Sequence, residues 1–174
     1  MDTILTAKQI DGILSDITEK INHDLNGCKD LVVIGIRSRG EILAQRLASR
    51  LSQPDHPVQC GVLDITLYRD DLNDPHGLGQ PEVRTTEIHF DINDQLIILV
   101  DDVLFTGRST RAALDALIDL GRPRAIRLAV LVERNGREFP IQADYVGFRT
   151  TVRPDQRIAV KFVECDGVDA VTLE

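Results

Sequence analysis

The chain has 174 residues, is 43% hydrophobic and carries 20 basic against 28 acidic side chains, a net charge of −8. That is enough apolar material for one domain with a full core, and the acidic balance excludes a chain-wide basic surface for nucleic acid. No apolar run approaches the length of a membrane span and the start MDTILTAKQIDGIL lacks the regions of a signal peptide, so a cytoplasmic location is expected; Cys28, Cys60 and Cys165, odd in number and far apart, suggest neither a disulfide framework nor a zinc site and read as packing residues.

Thr6 and Gln9 have the spacing of a capping box, and Ile10, Ile13, Leu14, Ile17 and Ile21 form one apolar stripe, so the chain is expected to open with a helix. Leu31 to Ile36 reads as a buried strand, and EILAQRLASRL as a helix with Ile42, Leu43, Leu47 and Leu51 inward. Val58 to Tyr68 reads as a further strand. The segment Arg69 to Arg84, RDDLNDPHGLGQPEVR, is polar with two prolines and two glycines and predicts a mobile hairpin loop. Strands are expected near Glu87 to Phe90, at Leu96 to Val100, at Ile126 to Val132 and at Ile158 to Val163. After Arg108, the residues Ala112, Ala113, Leu114, Ala116, Leu117 and Leu120 fit a helix ended by Gly121 and Pro123. The alternation of strands and helices predicts an α/β fold with a mostly parallel sheet, without repeats or linkers.

The stretch LIILVDDVLFTGRST, Leu96 to Thr110, joins a buried strand to a helix through a loop rich in hydroxyls. Ligands of open α/β sheets collect at such carboxyl ends. Gly107 permits close backbone approach, Thr106, Ser109 and Thr110 offer hydroxyls, and the unpaired N–H groups of the helix start favour a phosphate. Asp101 and Asp102 would repel that phosphate, so they face another part of the ligand, and vicinal ribose hydroxyls suit them. Acidic pairs at strand ends also bind metal ions or phosphoryl groups, or simply end a strand. A second turn of this kind, IRSRG, places Arg37, Ser38, Arg39 and Gly40 at the end of the preceding strand, where they suit pyrophosphate.

The segment Ile97 to Ser109 resembles the phosphoribosyl-pyrophosphate motif of the type I phosphoribosyltransferases. VVIGIRSRG, LDITLYRDDL, ALDALIDLGRP, LAVLVER and REFPIQADYVG extend the resemblance, over most of Leu31 to Gly147, to the pyrimidine-operon attenuation regulators that are also uracil phosphoribosyltransferases. The resemblance implies one phosphoribosyltransferase domain over residues 1–174, a mostly parallel central sheet flanked by helices with a small hood over its carboxyl edge, and a homo-oligomer, dimer or higher. It implies synthesis of UMP and pyrophosphate from uracil and phosphoribosyl pyrophosphate, with Mg2+ bound alongside the latter, and UMP-responsive binding to pyrimidine-operon leader mRNA. A salvage enzyme without RNA binding and a regulator without catalysis are the alternatives.

Residue by residue, the family pattern gives Asp101, Asp102 and Arg84 catalytic roles. Ser38, Arg39 and Gly40 would hold pyrophosphate, with a cis peptide expected between Ser38 and Arg39. Val103, Leu104, Phe105, Thr106, Gly107, Arg108 and Ser109 would form the phosphate loop, and Arg134 and Thr150 the uracil site. No protein-held metal is expected. Two stretches depart from the family: ERNGRE, Glu133 to Glu138, has Gly136 where the family has histidine, and FRTTVR, Phe148 to Arg153, replaces the family's Lys-Asn-(Val or Ile)-Pro-Thr-Ser. For RNA, the segment Arg122 to Lys161 holds nine basic against four acidic residues, an excess of five, with Arg149, Arg153 and Arg157 as candidates. The first helix carries Asp11, Asp16, Glu19 and Asp24 against Lys20, where family members are basic.

Overall fold

The computed structural model describes residues 2–70 and 84–174. Five parallel strands form the central sheet in the order β3-β2-β4-β5-β6: β2 is Leu31–Ile36, β3 Gln59–Leu63, β4 Leu96–Leu104, β5 Ala125–Arg134 and β6 Tyr145–Thr150. Its central strands are apolar in unbroken runs because helices cover both faces. Val33, Ile98, Val100 and Leu131 pack on one side against α1 (Ala7–Asp24) and α2 (Arg39–Leu51), through Ile10, Leu14, Ile17, Leu43 and Leu47. Ile34, Ile97, Leu99 and Val130 face the other side and meet Ala112, Ala113, Ala116 and Leu117 of α3 (Arg108–Leu120). Each such fully buried aliphatic side chain contributes about 1.5–3 kcal/mol.

From β2 the chain crosses outward to β3, whereas from β4 it crosses the opposite way to β5. The adjacent strands β2 and β4 therefore send their connections apart, and a crevice opens between their carboxyl ends. A second sheet roofs this edge: β1 (Asp2–Thr6), β8 (Ala170–Leu173) and β7 (Ile158–Lys161) pair antiparallel in the order β1-β8-β7. Between β7 and β8 lies the short helix α4 (Val163–Asp166). The expected fold and hood are both present. No described helix is long and apolar enough to cross a membrane.

The capping box stands, with the Gln9 side chain accepting the Thr6 N–H at 2.9 Å. Other local expectations are corrected. The strand expected over Val58 to Tyr68 ends at Leu63, and a 3-10 turn follows at Thr66–Tyr68, where Asp64 accepts both the N–H and the hydroxyl of Thr66 and so offers the backbone a turn. Glu87 to Phe90 forms no strand; only Glu87 pairs, in an isolated antiparallel bridge to Val62. The last strand of the expected set stops at Lys161 because the Phe162 N–H turns to the Asp166 carboxylate. Leu120 is 52% exposed as the last residue of α3, and Ile42 is only partly buried. Cys60 and Cys165 are exposed and not packing residues, whereas Cys28 is partly buried and packs against the core as expected. Most of the loop expected over Arg69 to Arg84 lies outside the described residues.

Candidate active site

The crevice is a cavity of about 400 Å³. Arg37, Ser38 and Arg39 line it from the β2–α2 turn, Asp101, Asp102, Val103 and Ser109 from β4 and the start of α3, and Ile158 to Val160 from the hood. The cis peptide of this turn joins Arg37 to Ser38, one bond earlier than expected, since Arg39 is already the first residue of α2 and its peptide belongs to the helix. Gly40 is required by packing: a Cβ there would stand 2.7 Å from the Val100 carbonyl oxygen and 3.2 Å from the Asp101 Cα. The bare backbone lets the start of α2 lie directly against the acidic end of β4.

Both acids are partly buried. Asp101 accepts the Asp102 N–H and Asp102 accepts the Val103 N–H, each at 2.9 Å. Burial, then the neighbouring Asp102 charge, pushes the Asp101 carboxyl well above its ordinary value. Burial also raises Asp102, although its hydrogen bonds and the Arg39 charge oppose the shift. A pair so placed gains by meeting hydroxyl donors or a cation.

In the loop that follows, the Thr106 carbonyl accepts the N–H groups of Glu138 and Phe139, and its hydroxyl accepts the Arg108 N–H at 3.2 Å. Gly107, at φ +90°, leads directly into α3. Leu104 points into the core and Thr110 is buried, so Leu104 can meet a ligand only through its backbone. Arg108 turns its guanidinium to Glu138 and Asp70 and stacks on Phe139. Like Leu104, it offers that loop its backbone and not its side chain.

A second hollow, about 460 Å³, lies at the carboxyl ends of β5 and β6 and brings Arg134 and Thr150 together with Asn135, Gly136 and Arg137. Arg134 and Thr150 are paired in register across the two strands. The Arg134 guanidinium lies 4.1 Å from the centre of the Phe105 ring and donates to the Gln156 carbonyl at 2.9 Å. Phe105, from the loop after β4, thus packs on the arginine of the second hollow. Gly136 has φ +106°, and a Cβ on it would come within 2.5 Å of that ring, so this conformation suits glycine. The Asn135 side chain accepts the Val152 N–H at 2.9 Å and ties the loop after β6 to the same rim.

The expected catalytic Arg84 is placed by its backbone, its N–H donating to Asp64 at 2.7 Å. Asp64, also on the cavity wall, was not singled out in the sequence, where one acid after a strand gives no signal. Burial works to raise its pKa, and the bonds from Thr66 and Arg84 together with the Arg37 charge outweigh it, leaving the carboxyl below its usual range. Of the RNA candidates, Arg149 is 67% exposed and bound to Glu133, and Arg153 is 72% exposed and bound to Asp155. Arg157 is exposed at the foot of β7, its backbone paired with Glu174. Arg153 and Arg157 line neither cavity, whereas Arg149 stands on the wall of the second hollow.

A model of the phosphoribosyl transferase domain family matches residues 1–165. The bifunctional protein PyrR of Deinococcus radiodurans is 51% identical over 172 residues, covering 98% of this chain and 93% of its own. That of Clostridioides difficile is 44% identical over 172 residues, covering 98% and 96%. Among solved structures, the hypoxanthine phosphoribosyltransferase of Trypanosoma cruzi superposes with a TM-score of 0.75 at 17% identity, covering 99% of this chain and 95% of its own. A hypoxanthine-guanine phosphoribosyltransferase of Bacillus anthracis gives 0.74 at 18%, covering 98% and 96%. These two establish the fold.

Proposed function

This chain belongs to the phosphoribosyltransferase family and, within it, to the PyrR proteins, and from that premise we propose how its residues work. It is a uracil phosphoribosyltransferase that also regulates pyrimidine-operon transcription by attenuation, binding leader mRNA in response to UMP. One observation carries the catalytic half: a buried acid pair shares a single crevice with an arginine turn and the hydroxyl-bearing start of a helix.

The bond from sugar C1 to the pyrophosphate oxygen breaks, the uracil N1 bonds to C1, and the N1 proton leaves to solvent. Positive charge builds on the sugar as it does so. Asp101 and Asp102 accept the two ribose hydroxyls and stabilise that charge through space. Thr106 to Ser109 hold the 5′-phosphate with backbone N–H groups and hydroxyls at the start of α3. Ser38, Arg39 and Gly40 hold the departing pyrophosphate, and Arg84 adds a positive charge beside it. Uracil sits against Arg134 and the backbone of Thr150, in the second hollow.

Among the described residues no cluster of three or more acidic, histidine or cysteine side chains could cage a metal. Two carboxylates beside a polyphosphate subsite fit Mg2+, which keeps several waters and takes one or two carboxylates together with substrate oxygens. Asp101 and Asp102 would hold it, by way of the ribose hydroxyls, and when bound it neutralises charge on the leaving pyrophosphate.

RNA binding rests on the exposed arginines Arg149, Arg153 and Arg157, whose acid partners Glu133 and Asp155 must yield to phosphate. The acidic first helix contributes no such contact. We place the protein in the cytoplasm, as a homo-oligomer. A UMP-formation assay and a gel shift with leader RNA, with and without UMP, test the two halves. Absence of turnover overturns the first; absence of UMP-dependent retention overturns the second and leaves a salvage enzyme. Changing Arg153 and Arg157 to glutamine should weaken RNA binding and flatten its salt dependence by up to about two units of slope, with UMP formation unchanged.

A further inference from the structure

Two arginines on one face of α2, Arg39 and Arg46, stand seven residues apart and so about two helical turns. Both reach into the hood. Arg46 is caught between Glu164 at 2.6 Å and Asp169 at 2.8 Å, and its guanidinium lies 4.7 Å from the centre of the buried Phe162 ring. That node pins the hood to the helix. Arg39 makes a separate contact, its guanidinium donating to Asp166 Oδ1 at 2.6 Å.

The Asp166 carboxylate is itself held on its other oxygen. Oδ2 accepts the Phe162 N–H at 2.9 Å and the Cys165 thiol at 3.0 Å. Both oxygens are therefore engaged, and the direction in which Oδ1 meets Arg39 is determined by the backbone of the hood. On its far side Arg39 lines the crevice with Asp101 and Asp102. An arginine beside two acids would otherwise swing toward them, neutralise the carboxylates that the sugar needs, and leave the pyrophosphate position. A carboxylate behind it holds it between.

We propose that Asp166 is a positioning residue of the hood, which holds the Arg39 guanidinium over the pyrophosphate subsite and away from the acid pair. The inference rests on the phosphoribosyltransferase reading of the crevice and adds to it a residue from outside the strand-to-helix turns. The hood is then more than a cover: the turn at its end sets the geometry of the leaving-group site, and the Arg46 node keeps that turn in place.

The test uses the full chain. Asn at position 166 retains one oxygen to accept the Phe162 N–H while losing the charge toward Arg39. Asp166→Asn should raise KM for phosphoribosyl pyrophosphate, and the inhibition constant of pyrophosphate, by about tenfold, with KM for uracil changed less than about twofold. Asp166→Glu should recover part of the loss. In an Arg39→Gln background Asp166→Asn should have no further effect, because its target is gone. Arg46→Gln loosens the hood without touching Arg39, and should lower the unfolding temperature without the selective rise for phosphoribosyl pyrophosphate. An unchanged KM in Asp166→Asn, an equal rise for both substrates, or a full additional loss in the Arg39→Gln background overturns the proposal while the parent still makes UMP. A parent that makes none overturns the enzymatic reading, and calorimetry with pyrophosphate alone then decides: weaker binding by Asp166→Asn than by the parent upholds the inference, and equal binding or none overturns it.

Discussion

Around the crevice, the acids Asp101 and Asp102 stand at the end of a strand whose preceding residues are wholly buried, and α2 is brought against them through Gly40. The base-side hollow is made differently. Its walls are the end of β5, the loop after it and the loop after β6, held by Arg137 bonds to the Phe105 and Ile141 carbonyls, by Arg137 and Arg149 on Glu133, and by Asn135 on Val152. The first region inherits its geometry from the core; the second is assembled from side chains near the surface. In the proposed function, chemistry that tolerates little displacement sits on the first, and recognition, which can be re-formed by loop substitutions, sits on the second. The departures from the family pattern at Gly136 and Phe148 to Arg153 fall on the second.

The largest effect expected from this division is at the acid pair. Asp101→Asn with Asp102→Asn should lower UMP formation by about a thousandfold or more, since two groups that act on the charged transition state are lost. The same change should stabilise the fold. Both carboxyls have folded-state pKa values raised by burial, so their favourable contribution is present below the ordinary carboxylate range and is lost as pH rises through the folded values. At pH 7 this difference between folded and unfolded chain is a cost that Asn removes. The unfolding temperature should rise by a few degrees at pH 7, and the gain should shrink as pH falls toward the ordinary carboxylate range, because the folded pair takes up protons above that range. A loss of stability at pH 7 would show that the pair is not the strained element of the site.

Gly40→Ala probes the same region through its packing. The Cβ would meet Val100 and Asp101 backbone, neither of which can move without the sheet, so α2 must shift. We expect destabilisation of about 1–3 kcal/mol and turnover lower by about a hundredfold, read from thermal unfolding and steady-state kinetics. Retention of full activity would mean that contact between α2 and the acidic strand end is dispensable.

The two regions also differed in how far they could be read from sequence. Strands β2, β4 and β5 are apolar runs with tight turns behind them, so their place in a parallel sheet followed from pattern alone, as did the turn into α3. Strands β1 and β8 were missed because each is four or five residues long and stabilised by pairing between the two ends of the chain, which no local signal reports. β6 was missed as a strand because it is only partly buried on a sheet edge. Asp64 and Asp166 act through backbone N–H groups and arginines distant in sequence, and single acids carry no signature of that. Arg108 stood in the motif, yet its side chain turns away to Glu138 and Asp70; motif membership did not tell backbone contact from side-chain contact.

A smaller effect is expected at the phosphate loop. Thr106→Val with Ser109→Ala removes two hydroxyls and leaves the backbone donors, so KM for phosphoribosyl pyrophosphate should rise about tenfold with KM for uracil nearly constant. Equal increases would place the loop outside the 5′-phosphate subsite and blur the boundary between the regions.

The smallest effect belongs to the base side, at Gly136→Ala. The added Cβ would stand 2.5 Å from Cε2 of Phe105, on a backbone whose φ of +106° disfavours any side chain. Phe105 is 42% exposed, so its ring can swing outward, and the main consequence is loss of the stack with Arg134 at 4.1 Å. We expect about 1–2 kcal/mol of destabilisation from the backbone and a rise of about threefold to fivefold in KM for uracil as Arg134 loses its support. KM for phosphoribosyl pyrophosphate should stay constant, because the crevice is carried by β2, β4 and α2 and not by this loop. Phe105→Leu separates the two causes: it removes the stack without the backbone strain, so it should reproduce the kinetic change with a smaller loss of stability. If either substitution raised both Michaelis constants together, Phe105 would be a mechanical link between the hollows, and the base side would be part of the catalytic scaffold instead of an addition to it.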